Sequence, residues 1–450
     1  GMPIILTIRR FIDGGTYRGG EAARTALMAR GLAFASQNAQ KNFAYIDLEE
    51  DLDVPSIQDA ALAFGTRVIR SFHNMHSAVE NLPAKMAAIR KTGFEIPKIA
   101  CMPQHLSELS KLFKEAAALD YEHIVCTMGA YSIPSRILAE RTGSFLTYCS
   151  PPSSDASLAK LGHVDPVGLN KTYNFRSIDD KTELFGITGY PLAHTSSPEI
   201  HNAGYRKHGM NAVYIPIKSE TIDEALEFAE TIGIRGLSVT VPHKEAVIPE
   251  LIKLNSEAQA IGACNTVVRT DEGWTGSNTD AYGFQTALLR FLGVKKLRRR
   301  RVAIIGAGGA AKAVAYVVKS LGAKACVFNR TLSHAKALAE RYGFDYAPLG
   351  PEAAKKIEKY ADIIVQTTSK GMNSDGQASK DGDPLYFYQF TGTETVFDLV
   401  YVPAVTPIMA RAAEAGCKTC NGAEMLKYQG YRQFKIFTGI DYGAECERLC

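Results

Sequence analysis

The 450-residue chain has one tryptophan, no long apolar run, no dense field of charge and no compact cysteine framework. Each deficit closes off a class. No stretch approaches the roughly 18 apolar residues of a membrane span, and the first residues lack the charged, apolar and small-residue order of a signal peptide. A cytoplasmic protein with no membrane partner is therefore expected. Nine cysteines, an odd number scattered along the chain, suit a reducing compartment in which free thiols are the default. Cys417 and Cys420 in "GCKTC" have redox or zinc spacing, but no second pair or histidine cluster completes a site, so no metal is expected. The net charge is only +4, and the one basic run, Lys295, Lys296 and Arg298 to Arg301, has no aromatic platform or recognition helix beside it. It reads as a solvated connector, not as a nucleic-acid surface.

What is present is a globular balance, 46% hydrophobic and 22% charged, on a chain long enough for two or three cores. Up to about residue 150, "PIILTIRR", "FAYIDLEE", "TRVIRSFHN", "IPKIACMP", "EHIVCTMG" and "SFLTYCS" alternate with amphipathic segments. Short β-rich runs separated by helices imply parallel β/α units. Six closely spaced units predict a (β/α) barrel two strands short of the usual eight. The following "PPSSDASLAKLGHVDPVGLNKTYNFRSIDDKTE" reads as a loop and then an interdomain linker. The predicted α/β organisation is a barrel over 1–170, a substrate domain over 183–290 completed by C-terminal helices over 423–450, and a dinucleotide-binding domain over 291–422.

The last of these announces itself in "RVAIIGAGGAAKAVAYVVKSLGAKACVFNRT". Gly306, Ala307, Gly308, Gly309, Ala310 and Ala311 give the G-x-G-x-x-A form between a strand and a helix, the turn on which a pyrophosphate rests. An NAD site would place an acidic residue about 20 positions on. Asn329, Arg330 and Thr331 stand there instead, and an arginine favours the 2′-phosphate of NADP.

Two lysines invite chemistry. Lys98 lies within the strand-like "IPKIACMPQ", on one face with Ala100 and Met102. If that face lines a barrel, Lys98 is desolvated, its pKa falls, and a neutral amine can attack a carbonyl. A lysine just after Pro97 also suits an exposed strand start. His73 closes the preceding strand, within reach for proton transfer. Lys244 follows Pro242 at a strand-to-helix turn and Asp280 lies in an Asn-Thr-Asp turn; an ion pair would fix the lysine as a donor, although both also suit an ordinary surface.

"TIRRFIDGG", "SFHN", "PKIACMP", "MGAYSIPSR" and "SFLTYCS" together resemble the type I 3-dehydroquinate dehydratases, over the last three-quarters of that domain. The resemblance implies Lys98 as imine-forming lysine, His73 as general acid/base, and Arg9, Met128, Arg136 and Tyr148 as pocket residues, with Asp13 in place of a glutamate that orients the histidine. His163 stands where that family has a glutamine in a substrate-covering loop. "GYPLAHTSSPEIHN", "GLSVTVPHKEA", "GACNTV", "GSNTDAYGF" and "FDLVYVP" resemble shikimate dehydrogenases over nearly all of 183–445. That likeness implies shikimate binding by Thr195, Ser197, Thr240, Asn265, Asp280, Tyr401 and Gln429. It makes Lys244 and Asp280 the catalytic pair and sets Thr367, Thr368 and Met372 at the nicotinamide. "YNFRSI" is similar to the linker of the plant-type fusion of both enzymes. The implied substrates are 3-dehydroquinate, 3-dehydroshikimate and shikimate, in aromatic amino acid biosynthesis. With fewer strands than a closed barrel, the dehydratase half is expected to be weak and to favour self-association. A scaffold barrel beside a monofunctional dehydrogenase and a non-catalytic metabolite sensor are the competing readings.

Overall fold

The computed structural model describes residues 2–33, 41–151, 162–192, 195–372 and 382–443. They form two compact units, 1–193 with 205–234, and 194–204 with 235–450.

Unit one carries β1 (Ile5–Leu6), α1 (Glu21–Ala33), β2 (Tyr45–Glu49), α2 (Pro55–Ala63), β3 (Arg67–Asn74), α3 (Leu82–Ile89), β4 (Ile96–Cys101), α4 (Leu106–Ala117), β5 (Ile124–Thr127) and α5 (Ser132–Ile137). The five strands pair in parallel in the order 1-2-3-4-5. Alternation sorts their side chains. Ile46, Leu48 and Val68 pack with Met28, Leu32 and Ile57 of the helices, and Ile99, Cys101 and Val125 with Leu82, Met86 and Leu112. Ile69, Ala100, Cys126 and Met128 cluster on the opposite face.

Two expectations need correction here. Only Ile5–Leu6 of the first run is strand, and "SFLTYCS" joins no ladder: Ser144 and Cys149 make isolated bridges to His123 and Val164. Its polar groups are committed to α5. Arg136 donates to the Tyr148 carbonyl at 2.9 Å and Thr147 Oγ1 to the Arg136 carbonyl at 3.1 Å, so no continuous ladder forms. The expected loop and linker also contain α6 (Pro166–Lys171), with proline in its first turn and Asp165 accepting from the Gly168 amide at 2.8 Å. Residues 152–161 of that stretch lie outside the described residues.

The rest of unit one is β6 (Glu183–Gly189), parallel to β7 (Ala212–Lys218), and α8 (Ile222–Ile232); α7 (Ser197–Lys207) belongs for most of its length to unit two. Helix α8 packs on α4, with Phe113 and Phe228 edge to face at 5.5 Å and both rings buried.

Unit two carries β8 (Ile234–Val239), β9 (Lys253–Leu254), α9 (Ser256–Ile261), β10 (Thr266–Thr270), β11 (Gly273–Ser277) and α10 (Asp280–Leu292). Strand β10 pairs antiparallel with β8 and β11, and β9 joins β11 in parallel. There follow β12 (Arg301–Ile305), α11 (Gly309–Ser320), β13 (Lys324–Asn329), α12 (Leu332–Tyr342), β14 (Asp345–Pro348), α13 (Ala354–Tyr360), β15 (Ile363–Gln366), β16 (Thr395–Asp398), α14 (Pro407–Glu414), β17 (Lys418–Cys420) and α15 (Ala423–Thr438). The parallel sheet order β14-β13-β12-β15-β16-β17 is the 3-2-1-4-5-6 pattern of a dinucleotide-binding fold, with its switch point between β12 and β15. Helix α15 returns against α10; a Cβ at Gly283 would lie 2.9 Å from the Gln429 amide nitrogen, so the close approach requires glycine.

Candidate active sites

In unit one the alternation that sends Ile46 and Leu48 to the helices sends Asp47 and Glu49 the other way, beside Ser71, His73 and Lys98. Lys98 is 5% exposed, its Nζ 2.9 Å from Asp47 Oδ2 and 4.2 Å from the centre of the Tyr148 ring. Arg9 reaches Asp47 at 2.6 Å, Glu49 at 2.8 Å and Ser71 Oγ at 3.0 Å. Ser71 donates to the other Asp47 oxygen at 2.6 Å, and buried Arg24 takes Glu49 Oε2 at 2.7 Å. Lys98, Arg9 and Arg24 each meet a carboxylate, which offsets the cost of burying their charge.

The lysine is thus interior, as its strand face suggests, but its pKa moves the other way. Burial pulls it down, and the Asp47 carboxylate with Tyr148 outweighs burial, so the ammonium is held above its ordinary value. Burial likewise opposes ionisation of Asp47, yet Lys98 and Arg9 hold it far below the usual carboxylate range. Burial, then the Arg9 and Lys98 charges, push His73 down to about 2, which leaves the imidazole neutral. Its Nδ1 lies 3.4 Å from Arg9 Nη1. Asp13 does not orient it: Asp13 takes Arg10 Nε at 2.6 Å. Met128 and Arg136 are buried, and Arg136 spans the Tyr148 and Thr127 carbonyls at 2.9 and 3.2 Å. His163 Nδ1 meets Ser150 Oγ. Sequence reasoning missed Asp47, Glu49 and Ser71; the signal was acidic residues at alternate positions of "YIDLEE", one strand from His73.

In unit two Lys244 Nζ is ion-paired with Asp280 Oδ2, and both side chains are largely buried at 13% and 7% exposure. Asp280 opens α10, where the helix N-terminus favours a carboxylate. Asn265 Nδ2 donates to Asp280 Oδ1 at 2.9 Å and to Thr279 Oγ1 at 3.0 Å, and Thr279 reaches Gln429 Oε1 at 3.3 Å. Behind them Gln433, not foreseen, accepts from Ser238 at 2.9 Å and donates to Thr266 Oγ1 at 2.9 Å. Thr195 Oγ1 and Ser197 Oγ lie 3.2 Å apart at the start of α7. Tyr401 is raised mainly by burial, against a hydrogen bond with Thr195. Thr240, four residues before Lys244, is half-buried, its carbonyl accepting from the His243 amide at 2.8 Å.

The Gly-rich turn fits a dinucleotide. Gly306 has φ +113°, a conformation that favours glycine, and a Cβ there would strike Thr367 Oγ1. A Cβ at Gly308 would meet nothing within 4 Å, so the space over the turn stays open for a phosphate at the α11 N-terminus. Ala311 is buried, while Ala307 and Ala310 are half-buried beside it. Thr367 Oγ1 ties the β15 loop to the Ile305 carbonyl at 2.7 Å, with Thr368 and exposed Met372 following. Asn329 donates to the Thr331 carbonyl at 3.0 Å, and exposed Arg330 has no ion pair among the described residues. A Cβ at Gly309 would lie 3.2 Å from Lys244 Cδ, which brings turn and lysine into contact.

Known proteins resemble the chain in separate stretches. Family models match as type I 3-dehydroquinase over residues 1–180, shikimate dehydrogenase substrate binding domain over 187–267 and shikimate/quinate 5-dehydrogenase over 290–374. The bifunctional 3-dehydroquinate dehydratase/shikimate dehydrogenase, chloroplastic, of Arabidopsis thaliana is 32% identical over 460 residues, covering 98% of this chain and 73% of that protein. The shikimate dehydrogenase (NADP(+)) of Thermococcus kodakarensis is 40% identical over 264 residues, 58% of this chain and 93% of that one. The crystal structure of shikimate dehydrogenase from Aquifex aeolicus matches with a TM-score of 0.53 and 33% identity, over 60% of this chain and 98% of that chain. By these matches and by its two lysine sites, the chain belongs to the bifunctional 3-dehydroquinate dehydratase/shikimate dehydrogenase family.

Proposed function

We propose that the chain carries out two consecutive steps of the shikimate pathway, dehydrating 3-dehydroquinate in residues 1–170 and reducing 3-dehydroshikimate to shikimate in residues 183–443. The observation that carries the reduction is the Lys244–Asp280 pair lying directly against Gly309 of the dinucleotide turn. NADPH, when bound there, supplies the hydride. Lys244 then gives its proton to the forming alkoxide, a transfer that typically contributes about 10² to 10⁴ in rate. Asp280 is ion-paired with the lysine and aims it, while Asn265, Thr279 and Gln429 form a fixed polar wall for the substrate hydroxyls. Thr195, Ser197 and Tyr401 would grip the carboxylate end.

Exposed Arg330 supports NADP over NAD, in keeping with the named cofactor of the Thermococcus relative. With shikimate as substrate the protein should reduce NADP far better than NAD, and Arg330→Asp should narrow or reverse that preference. Equal use of both cofactors by the unmodified protein would remove the assignment.

In unit one Asp47 holds Lys98 on the inner face; once the ammonium has given a proton to water, its amine attacks the substrate ketone and water is expelled. The iminium that forms acidifies the adjacent C–H. Neutral His73 removes that proton and returns one to the departing hydroxyl. Borohydride added with dehydroquinate should fix an adduct on Lys98 and no other lysine; a mass spectrum with the adduct elsewhere, or none, rejects this route.

Supporting a cytoplasmic location are thiols that are unlinked among the described residues; the Arabidopsis relative is named as chloroplastic. No described helix is long and apolar enough to cross a membrane. Self-association is read from the outer edge of β1, which has no strand partner among the described residues, and from Met2 and Ile4 beside it at 85% and 58% exposure. Such an edge invites a second copy. Light scattering should show mass rising with concentration, and Ile4→Lys should reverse it; a constant monomer mass defeats the idea.

A further inference from the structure

The dehydrogenase site draws on two loops, one after β15 with Thr367, Thr368 and Met372, the other after β16 with Tyr401. Between them lies Asp398, the last residue of β16 and 0% exposed. Its Oδ1 accepts from the Val400 amide at 2.9 Å and from Gln366 Nε2 at 3.3 Å, and its Oδ2 from Thr406 Oγ1 at 2.6 Å. Gln366 and Thr406 are equally buried. The Gln366 amide reaches onward to the Thr368 and Lys370 carbonyls at 3.1 and 3.0 Å, and its oxygen takes the Thr368 amide. On the other side the Val400 carbonyl accepts from Gly422 at 3.1 Å, immediately before the helix that carries Gln429.

We infer that Asp398 is a positioning residue for hydride transfer: through Gln366 it shapes the loop beside the dinucleotide turn, and through Val400 and Thr406 it shapes the loop that presents Tyr401. One carboxyl therefore sets both the cofactor side and the substrate side. The inference rests on the dehydrogenase reading of this site. Burial raises Asp398 to about 6 against the bonds from Thr406 and Val400, with Asp383 adding to the rise; Asp383 itself is paired with Arg411 at 2.7 Å. A neutral side chain of the same shape is thus compatible with the network. Asparagine can accept from Val400 and Gln366 with its oxygen and donate to Thr406 with its nitrogen.

The test is made on the full chain, with shikimate and NADP as reactants and 2′,5′-ADP, which lacks nicotinamide, as binding probe. Asp398→Ala should lower kcat by about 10- to 100-fold, the scale of a misplaced reacting group, while 2′,5′-ADP affinity stays within about twofold of the parent. Asp398→Asn should recover most of the rate. Thr406→Val, a smaller lesion, should show the same split to a lesser degree and serves if Asp398→Ala does not fold. Unchanged kcat in Asp398→Ala, parallel loss of kcat and 2′,5′-ADP binding, or an asparagine variant as slow as the alanine one overturns the inference. Lys244→Ala run beside them separates the two ideas: full turnover there removes the site reading, whereas loss there with an unimpaired Asp398→Ala removes only this one.

Discussion

Lys244→Ala is expected to cut dehydrogenase turnover by about 10² to 10⁴-fold and to leave NADP binding nearly unchanged. The lysine reaches Asp280 with its ammonium group and lies against Gly309 with its stem, so the substitution removes the proton donor and some packing but no backbone donor of the turn. Substrate binding should weaken less than kcat, because Asn265, Thr279 and Gln429 hold one another independently of the lysine. Steady-state kinetics beside a direct NADP titration checks this. Loss of both together would mean that Lys244 is structural.

The second large effect is on stability. Asp47→Ala leaves Lys98 and Arg9 as buried cations without their shared carboxylate, a lesion of the kind that costs about 3–5 kcal/mol. Hydrogen exchange in the β2 to β4 peptides should rise sharply. Fluorescence of Trp274, the only tryptophan, should report little change, because it lies in unit two. The pH dependence has a definite sign. Asp47 is depressed in the folded chain, so its contribution is complete above the unfolded value of about 3.9 and is lost as pH falls toward the lower folded value. The deficit of Asp47→Ala should therefore be largest at neutral pH and shrink in strong acid. Depressed His73 acts in the same direction, weakening the native state as pH falls from about 6.5 toward its folded value. An Asp47→Ala protein as stable as the parent at neutral pH would show that the ion-pair network contributes nothing.

Local pattern carried much of this molecule. Alternation in "IPKIACMP" put Lys98 on one face with Ala100 and Met102 but left open whether that face was inner, and the Gly-rich run between a strand and a helix marked the dinucleotide turn. What local pattern could not carry was pairing across the sheet. Asp47 is 51 residues from Lys98, and only the register of β2, β3 and β4 brings it close enough to raise a pKa that burial alone would lower. Asp13 failed for a related reason: an arginine three residues away, Arg10, was a nearer partner than the histidine. "SFLTYCS" has strand composition, but Arg136 and Thr147 bind its backbone and its neighbour's before a ladder can.

The ring pair Phe113–Phe228 bears on how the two activities share one chain. A cleavage at residue 182, where the sequence looks like a tether, would pass between α4 and α8 and strip each of the other's aromatic cover. The join is thus a grafted core and not beads on a string. Expressed alone, the dehydrogenase would need a new polar skin at Phe228 to stay in solution, and the modularity that the linker-like sequence suggests ends at that seam.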